Sequence, residues 1–279
     1  MDHCAESMRL LAEVATSPAL EQPAVDECIR RQLAELADDE AQPYDVCRKH
    51  FLKTVFLGHP RGNPVGGLAE TVSGVTRQDL EDFHTRHYRP ANGIVAVAGD
   101  LDASELADIA AASFYGWRGE GPQPEAPPPP ARQHGRRVAS VSMDTKQVHV
   151  SIGNLAISRS DPSFYAASAL DVILGDSAGF GSRLSTKLRE EKGLAYVIES
   201  DATASAGLEP GVFWAYSATS PGHFEQLVRG VMDELRLART EPPSEEELES
   251  AIGYLVGRDL LDRETSEAVA GRLVHAERH

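Results

Sequence analysis

The sequence has few cysteines and no long apolar run. Three cysteines occur among its 279 residues, Cys4, Cys28 and Cys47, and no two of them have the C-x-x-C spacing. An odd number without that spacing argues against both a disulfide framework and a cysteine-rich zinc site. No run of about eighteen apolar residues is present, so the sequence predicts no membrane-spanning helix.

Basic residues are also scarce relative to acidic ones. Lys and Arg total 27 against 43 Asp and Glu, which gives a formal net charge of −16. An acidic surface repels nucleic acid and anionic lipid, and no basic stripe with interleaved aromatic residues interrupts it. The charge therefore argues against a nucleic-acid partner and favours attraction of basic peptides or polypeptides.

The first residues, MDHCAESMRLLAEV, lack the features of a secretory signal peptide. They contain neither a basic n-region nor a continuous apolar core. Met8, Leu11 and Val14 instead mark one face of an amphipathic helix. On this basis we expect a soluble, cytoplasmic protein whose first residues lie inside a helix.

Proline marks the clearest boundary in the chain. Residues 119–135, GEGPQPEAPPPPARQHG, contain four consecutive prolines, which can neither continue a helix nor donate ladder hydrogen bonds. Such a segment favours an extended, semi-rigid connector. We therefore predict two domains, residues 1–118 and 136–279, which is the number expected for a chain of this length.

Hydrophobic periodicity predicts helices and strands in both halves. The apolar run Ala91–Asp102 indicates a buried strand in the first half, which is otherwise helical. In the second half, Val148–Ile152 alternates as a strand should, and the runs Leu194–Thr203 and Val212–Thr219 resemble a β-hairpin. The predicted class is α+β: two similar domains, each a mainly antiparallel sheet packed against helices, and both incomplete.

Several helix ends are marked by capping residues. Thr76 with Asp79, and Ser244 with Glu247, have the spacing of capping boxes. Gly193 follows the charged run Arg189–Lys192 and is suited to the left-handed residue that ends a helix. These signals predict helix starts near residues 77 and 245, and a helix end at Gly193.

Histidine pairs are the first candidates for a metal site. His84 and His87 lie three residues apart, and we expect them to be ordinary surface histidines. His275 and His279 have the i, i+4 spacing of a zinc-binding pair. Glu277 stands between them at i+2, roughly 200° around the helix from the first histidine, so it points away from a bound metal. The sequence therefore favours ordinary histidines without a bound metal at both pairs.

Arg189 and Tyr196 stand on the two sides of the predicted turn at Gly193. Taken alone, they are a charge at a helix end and an aromatic residue on a strand. Both are hydrogen-bond donors, however, and a guanidinium and a phenol from the two sides of one turn can converge on a carbonyl oxygen. No nucleophile elbow of the G-x-S-x-G type and no phosphate-binding P-loop occur in the sequence.

Three segments, in order, resemble one family. GFGSRLSTKLREEKGLAYVIES (Gly179–Ser200) is similar to a second-domain segment of pitrilysin/insulinase-type zinc metallopeptidases, a group that includes the mitochondrial processing peptidases and the cytochrome reductase core proteins. Residues 58–102, from GHPRGNPVGG to VAVAGDLD, resemble the end of the family's first domain. QLAELADDEAQP (Gln32–Pro43) resembles the helix that carries its glutamate zinc ligand.

The resemblance implies proteolysis between two domains that close around an extended peptide. The family's histidines and glutamate lie in an H-x-x-E-H motif, where they bind zinc and activate water. A downstream glutamate completes the metal site and corresponds to Glu35, and an arginine–tyrosine pair that holds the substrate carbonyl corresponds to Arg189 and Tyr196. Without the resemblance, Glu35 is an ordinary glutamate at the flank of a helix.

The sequence departs from the family because H-x-x-E-H is absent. Three hypotheses follow. The chain is a portion of a zinc metalloendopeptidase that is inactive alone, a non-catalytic partner subunit of a heterodimeric peptidase, or a structural paralogue like the reductase core proteins. In each case a related subunit is a candidate partner in a homo- or heterodimer. We favour the first and expect zinc only in the complete enzyme, with peptides or unfolded polypeptides as substrates.

Overall fold

The computed structural model describes residues 2–119, 127–175 and 181–278. Short 3₁₀ turns at Pro60–Gly62, Pro90–Asn92 and Pro221–His223 join some of the longer elements. In chain order, the longer elements among the described residues are α1 (Asp2–Thr16), α2 (Gln22–Ala41), α3 (Pro43–Phe56), α4 (Ala69–Val72), α5 (Arg77–His87), α6 (Ala103–Ser113), β1 (Val148–Leu155), α7 (Phe164–Leu174), a π-helix (Ser185–Glu191), β2 (Val197–Asp201), β3 (Val212–Thr219), α8 (Phe224–Thr240), α9 (Glu245–Leu261) and α10 (Ser266–Arg278).

The chain divides into two compact units that are not contiguous in sequence. The first unit comprises residues 1–37, 66–126 and 259–279, and the second comprises residues 38–65 and 127–258. Within the predicted linker, residues 127–135 have no regular secondary structure, and residues 120–126 lie outside the described part of the chain. The predicted division into residues 1–118 and 136–279 stays a prediction.

The second unit is built around a three-stranded antiparallel sheet. The strand order is β1-β3-β2, and β2 pairs with β3 from Val197 opposite Ala218 to Asp201 opposite Trp214. The predicted hairpin is therefore confirmed. The presence of this sheet among packed helices also confirms the predicted α+β class.

One face of the sheet supports the main core of the second unit. Alternate residues of the strands, among them Val150, Ile198 and Ala215, point to this face because side chains alternate along a strand. They pack against the π-helix and α8. The largest buried side chains here are leucines that are fully shielded from solvent: Leu184, Leu188 and Leu227.

The opposite face of the sheet packs against α3. Val55 and Phe56 at the end of that helix bury against Val212 at the start of β3. Gly153 on β1 permits the close approach, because a Cβ atom there would meet the carbonyl of Phe213 and lie 2.9 Å from Cζ of Phe51. Since α3 and the main core cover opposite faces, the sheet is the central layer of this unit.

In the first unit the described residues are mainly helical, and the predicted strand Ala91–Asp102 is wrong. A 3₁₀ turn occupies Pro90–Asn92, and residues 93–102 form no strand. Ile94 and Val95 are 44% and 43% exposed, and no backbone hydrogen bond engages residues 94–99 among the described residues. A strand exists only where a neighbour completes its ladder, and the described residues of this unit supply none.

Candidate functional site

The turn between the π-helix and β2 is closed by Gly193. Its φ angle of +61° lies in the left-handed region, as predicted for the residue after a helix end. The Gly193 amide donates to the carbonyl of Arg189 at 3.2 Å, and the Leu194 amide donates to that of Leu188 at 2.8 Å. These two bonds fix the path of the backbone from the helix into the strand.

Buried residues on both sides of the turn anchor it to the core. Leu188 is fully buried at the end of the helix, and Leu194 and Ala195 are buried where the chain leaves the turn. The Thr219 hydroxyl donates to the carbonyl of Leu194 at 2.6 Å, which ties the exit of the turn to β3. The residues between these anchors are exposed, so the turn presents residues 189–193 to solvent.

Arg189 is exposed on the helical side of the turn. Its backbone carbonyl accepts the Gly193 amide, while its guanidinium has no hydrogen bond or ion pair within the part of the chain that the structure describes. The five N–H donors of the guanidinium are therefore available to a ligand. The sequence predicted this position at the last turn of the helix.

Tyr196 lies on the strand side of the turn, one residue before β2. Its amide donates to the carbonyl of Ala218 at 3.0 Å, so its backbone is held by the sheet. Its side chain is 75% exposed, and no described residue hydrogen-bonds its hydroxyl. A fixed backbone that carries an exposed phenol is suited to binding an extended ligand beside the turn.

The segment that leads into the π-helix is held by an ion pair with α9. Nε and Nη2 of Arg183 donate to the two carboxylate oxygens of Glu247 at 2.6 and 2.7 Å. This bidentate pair lowers the pKa of Glu247 to about 2, with a further contribution from the Ser244 amide that donates to the same carboxylate. The predicted capping box at Ser244 and Glu247 is confirmed.

Glu35 lies in the first unit, near the end of α2, with its side chain 60% exposed. Its carboxylate is 3.9 Å from Nε of Arg31, one helical turn earlier. Cys28, one further turn back, accepts a long hydrogen bond from the same arginine at 3.9 Å. The immediate neighbours of Glu35 along α2 therefore include a cation.

These surroundings do not fit a zinc site made by the described residues alone. A catalytic zinc ion needs three protein ligands. No group of three or more His, Cys, Asp or Glu side chains among the described residues has an arrangement that could hold a metal ion. The described residues therefore do not fit the zinc ion that the family resemblance implies, and Glu35 is the one residue of α2 that the resemblance assigns as a ligand.

The two histidine pairs differ in how fully the structure describes them. Nε2 of His84 hydrogen-bonds the carbonyl of Ala15 at 2.9 Å, and the imidazole of His87 packs on Phe83 with ring centroids 4.4 Å apart. Both residues of this pair have structural contacts. His275 lies in α10, whereas His279 is outside the described residues.

A second polar cluster, which the sequence did not reveal, lies on the sheet face toward α3. Nδ1 of His149 is 2.7 Å from the Tyr216 hydroxyl, and Tyr44 of α3 packs edge-on against Tyr216 at 4.7 Å. Burial lowers the pKa of His149 and raises those of Tyr216 and Glu199. The sequence pattern that could have indicated this cluster is the alternation of His149 with apolar residues in β1. The residues that His149 meets there come from distant segments of the chain, so the pattern alone does not identify them.

Comparisons with known proteins show that the chain belongs to the M16 peptidase family. Residues 74–255 match the family description "Peptidase M16 inactive domain". An uncharacterized zinc protease of Mycobacterium tuberculosis is 34% identical over 247 residues, which cover 88% of this chain and 56% of that protein. One from Streptomyces coelicolor is 28% identical over 273 residues, or 96% of this chain and 59% of that protein.

Solved structures have the same fold. A peptidase M16 inactive domain from Pseudomonas fluorescens superposes with a TM-score of 0.87 at 25% identity, covering 98% of this chain and 63% of that chain. A protease from Helicobacter pylori gives a TM-score of 0.87 at 23% identity, with 97% of this chain and 66% of that chain covered. The chain thus spans somewhat more than half the length of its relatives. None of its described helices is long and apolar enough to cross a membrane.

Proposed function

We propose that this chain is the substrate-holding portion of a zinc-dependent metalloendopeptidase that hydrolyses peptides or unfolded polypeptides. The observation that carries the proposal is the turn at Gly193, which exposes two unengaged donors, Arg189 and Tyr196, on a backbone fixed by the core. Membership of the M16 family and the similarity to proteins named zinc proteases support the reaction class.

Arg189 and Tyr196 donate hydrogen bonds to a carbonyl oxygen of the bound peptide. An extended peptide is expected to add a strand to a sheet edge, where main-chain bonds supply affinity and side chains supply selectivity. β2 is an edge strand of the sheet and begins directly after Tyr196. The proposed carbonyl contact therefore lies beside a strand that is able to receive a peptide.

A non-catalytic partner subunit is the second candidate. It is favoured by the lack of a three-ligand metal group among the described residues. Sequencing the genomic DNA upstream of the codon for Met1 separates the two candidates. An in-frame H-x-x-E-H segment establishes the first, whereas a start codon at Met1 with its own ribosome-binding site favours the partner subunit.

Polypeptide binding by the chain itself tests the role of the turn. The probe is fluorescein-labelled lysozyme that has been reduced and carboxamidomethylated, an unfolded basic polypeptide attracted by the net charge of −16. Fluorescence anisotropy gives its Kd, and native lysozyme serves as a folded competitor of similar charge. We expect Arg189→Ala and Tyr196→Phe each to raise the Kd about fivefold, the effect of losing one hydrogen bond.

Two variants control for charge and for aromatic surface. Lys192→Ala removes an exposed cation from the same turn, and Tyr115→Phe removes the hydroxyl of another exposed tyrosine. Both are expected to bind like the wild type at 0.5 M salt, where screening suppresses general attraction (about 4 Å Debye length). Equal changes in Kd for Lys192→Ala and Arg189→Ala would show that only net charge matters.

A further inference from the structure

The π-helix that carries Arg189 is an unusual element that needs outside support. Its hydrogen bonds close wider turns than those of an α-helix, and such helices are rare except as short segments, frequently at functional sites. Here seven residues, Ser185–Glu191, adopt this form, and the amide of Leu194 reaches back across the turn to the carbonyl of Leu188. Contacts from elsewhere in the fold must therefore select this form over an α-helix.

Helix α8 provides the first of these contacts through Gly230. A Cβ atom at this position would lie 2.5 Å from Cδ2 of Leu188, a distance that real Cβ atoms do not tolerate. Glycine inside a helix costs about 1 kcal/mol relative to alanine. Its presence in α8 leaves the space that the fully buried Leu188 side chain occupies.

Glu234 provides the second contact, one turn further along the same face of α8. The residue is only 5% exposed, and its Oε1 lies 3.3 Å from Nζ of Lys187. Its Oε2 has no hydrogen-bond partner within the described part of the chain. Burying a carboxylate costs free energy unless a cation and hydrogen bonds compensate its charge. The folded state in which Lys187 pairs with Glu234 is therefore strongly favoured over one in which the buried carboxylate is unpaired.

Two consecutive residues of the π-helix, Lys187 and Leu188, are thus held at two positions one turn apart on α8. The next residue is Arg189, whose direction is set by the register of the helix that precedes it. We propose that Glu234, acting through Lys187, is a positioning residue that holds the π-helix in the register that exposes Arg189 to the substrate. This inference rests on the proposed function of Arg189 as a substrate-binding residue.

Glu234→Gln tests the inference because it keeps the shape of the side chain and removes its charge. Two quantities are measured in the full chain: the Kd for the unfolded lysozyme probe, and hydrogen exchange at the Leu194 amide relative to that of Tyr216 in β3. We expect the Kd to rise about fivefold and exchange at Leu194 to quicken about tenfold. In the Arg189→Ala background, Glu234→Gln should not change the Kd further.

The matched control is Glu225→Gln, the same change at an exposed position of α8, which should alter neither quantity. Lys187→Arg keeps the cation and should behave like the wild type, whereas Lys187→Gln should reproduce the effect of Glu234→Gln. Exchange at Leu194 that is unchanged in both Glu234→Gln and Lys187→Gln overturns the inference. So does a Kd that rises equally with and without Arg189, since that is the result of general destabilisation.

The two proposals fail in different ways. If Arg189→Ala leaves the Kd unchanged, the proposed function is wrong. The exchange measurement by itself then decides whether Glu234 holds the register of the π-helix. Faster exchange at Leu194 in Glu234→Gln supports that role, and unchanged exchange overturns it.

Discussion

At the scale of single residues, backbone conformation distinguishes glycines with similar surroundings. Gly193 and Gly253 both have open space where a Cβ atom would stand, but only Gly193 has a positive φ. Gly253 lies inside α9, where the backbone is helical. Replacement by alanine is therefore expected to have opposite effects at the two positions.

We predict that Gly193→Ala lowers the free energy of unfolding by about 1 kcal/mol, because an L-residue is strained in the left-handed region. Gly253→Ala should raise it by up to about 1 kcal/mol, since alanine is the better helix former. Urea titration followed by circular dichroism measures both values. Equal destabilisation by the two changes would contradict the assignment of strain to Gly193.

The sequence predicted much of the turn but not the form of its helix. A glycine after a charged helix end is a local signal, and it correctly placed Gly193 in the left-handed region. The π-helix depends instead on Leu188 entering the space above Gly230, a residue on another helix. Contacts between residues so far apart in the chain leave no local pattern, so the support from α8 could not be predicted.

At the scale of elements, a predicted helix or strand was correct where the residues that stabilise it lie nearby in the sequence. β2 and β3 follow one another along the chain and pair as predicted, and capping boxes correctly marked α5 and α9. The run Ala91–Asp102 has equally apolar residues but no ladder partner among the described residues. Apolar composition thus identified a strand candidate without establishing that it forms a strand.

The ion pair between Arg183, just before the π-helix, and Glu247 of α9 predicts a pH dependence of stability. Arg183 holds the pKa of Glu247 at about 2, below the ordinary value of about 4.3 for glutamate. A lowered pKa in the folded state means that the contribution is complete above the ordinary value and is lost as the pH falls toward 2. We expect a loss of about 1 kcal/mol across that interval, with allowance for solvent screening of a partly exposed pair.

Glu247→Gln should remove this part of the pH dependence, because glutamine does not titrate. The free energy of unfolding is measured from urea titrations between pH 5 and pH 2, and the difference between wild type and variant should shrink as the pH falls. Glu246→Gln changes the neighbouring, exposed glutamate of the same helical turn and should leave the wild-type slope in place. Identical slopes for wild type and Glu247→Gln would refute the role of the ion pair.

At the scale of the whole molecule, the α+β class could be predicted, whereas the packing that builds the second unit joins segments that are far apart in the chain. The second unit includes residues 38–65, which precede the proline-rich segment, because α3 covers one face of the sheet. That packing joins Phe51 to Gly153, and the whole predicted linker lies between these two residues in the sequence. Composition marks a semi-rigid connector, whereas the membership of a compact unit depends on such long-range packing.

The last prediction concerns zinc in the chain as a whole. Its described residues place Glu35 beside Arg31 and contain no group of three potential ligands, so we expect no stoichiometric zinc to remain after dialysis. Elemental analysis measures the retained metal, with carbonic anhydrase as a positive control. Retention of one equivalent would contradict the prediction, and two variants would then locate the ion. Loss of the metal in His275→Ala would indicate the histidine pair near the end of the chain, whereas loss in Glu35→Gln would show that α2 supplies a ligand.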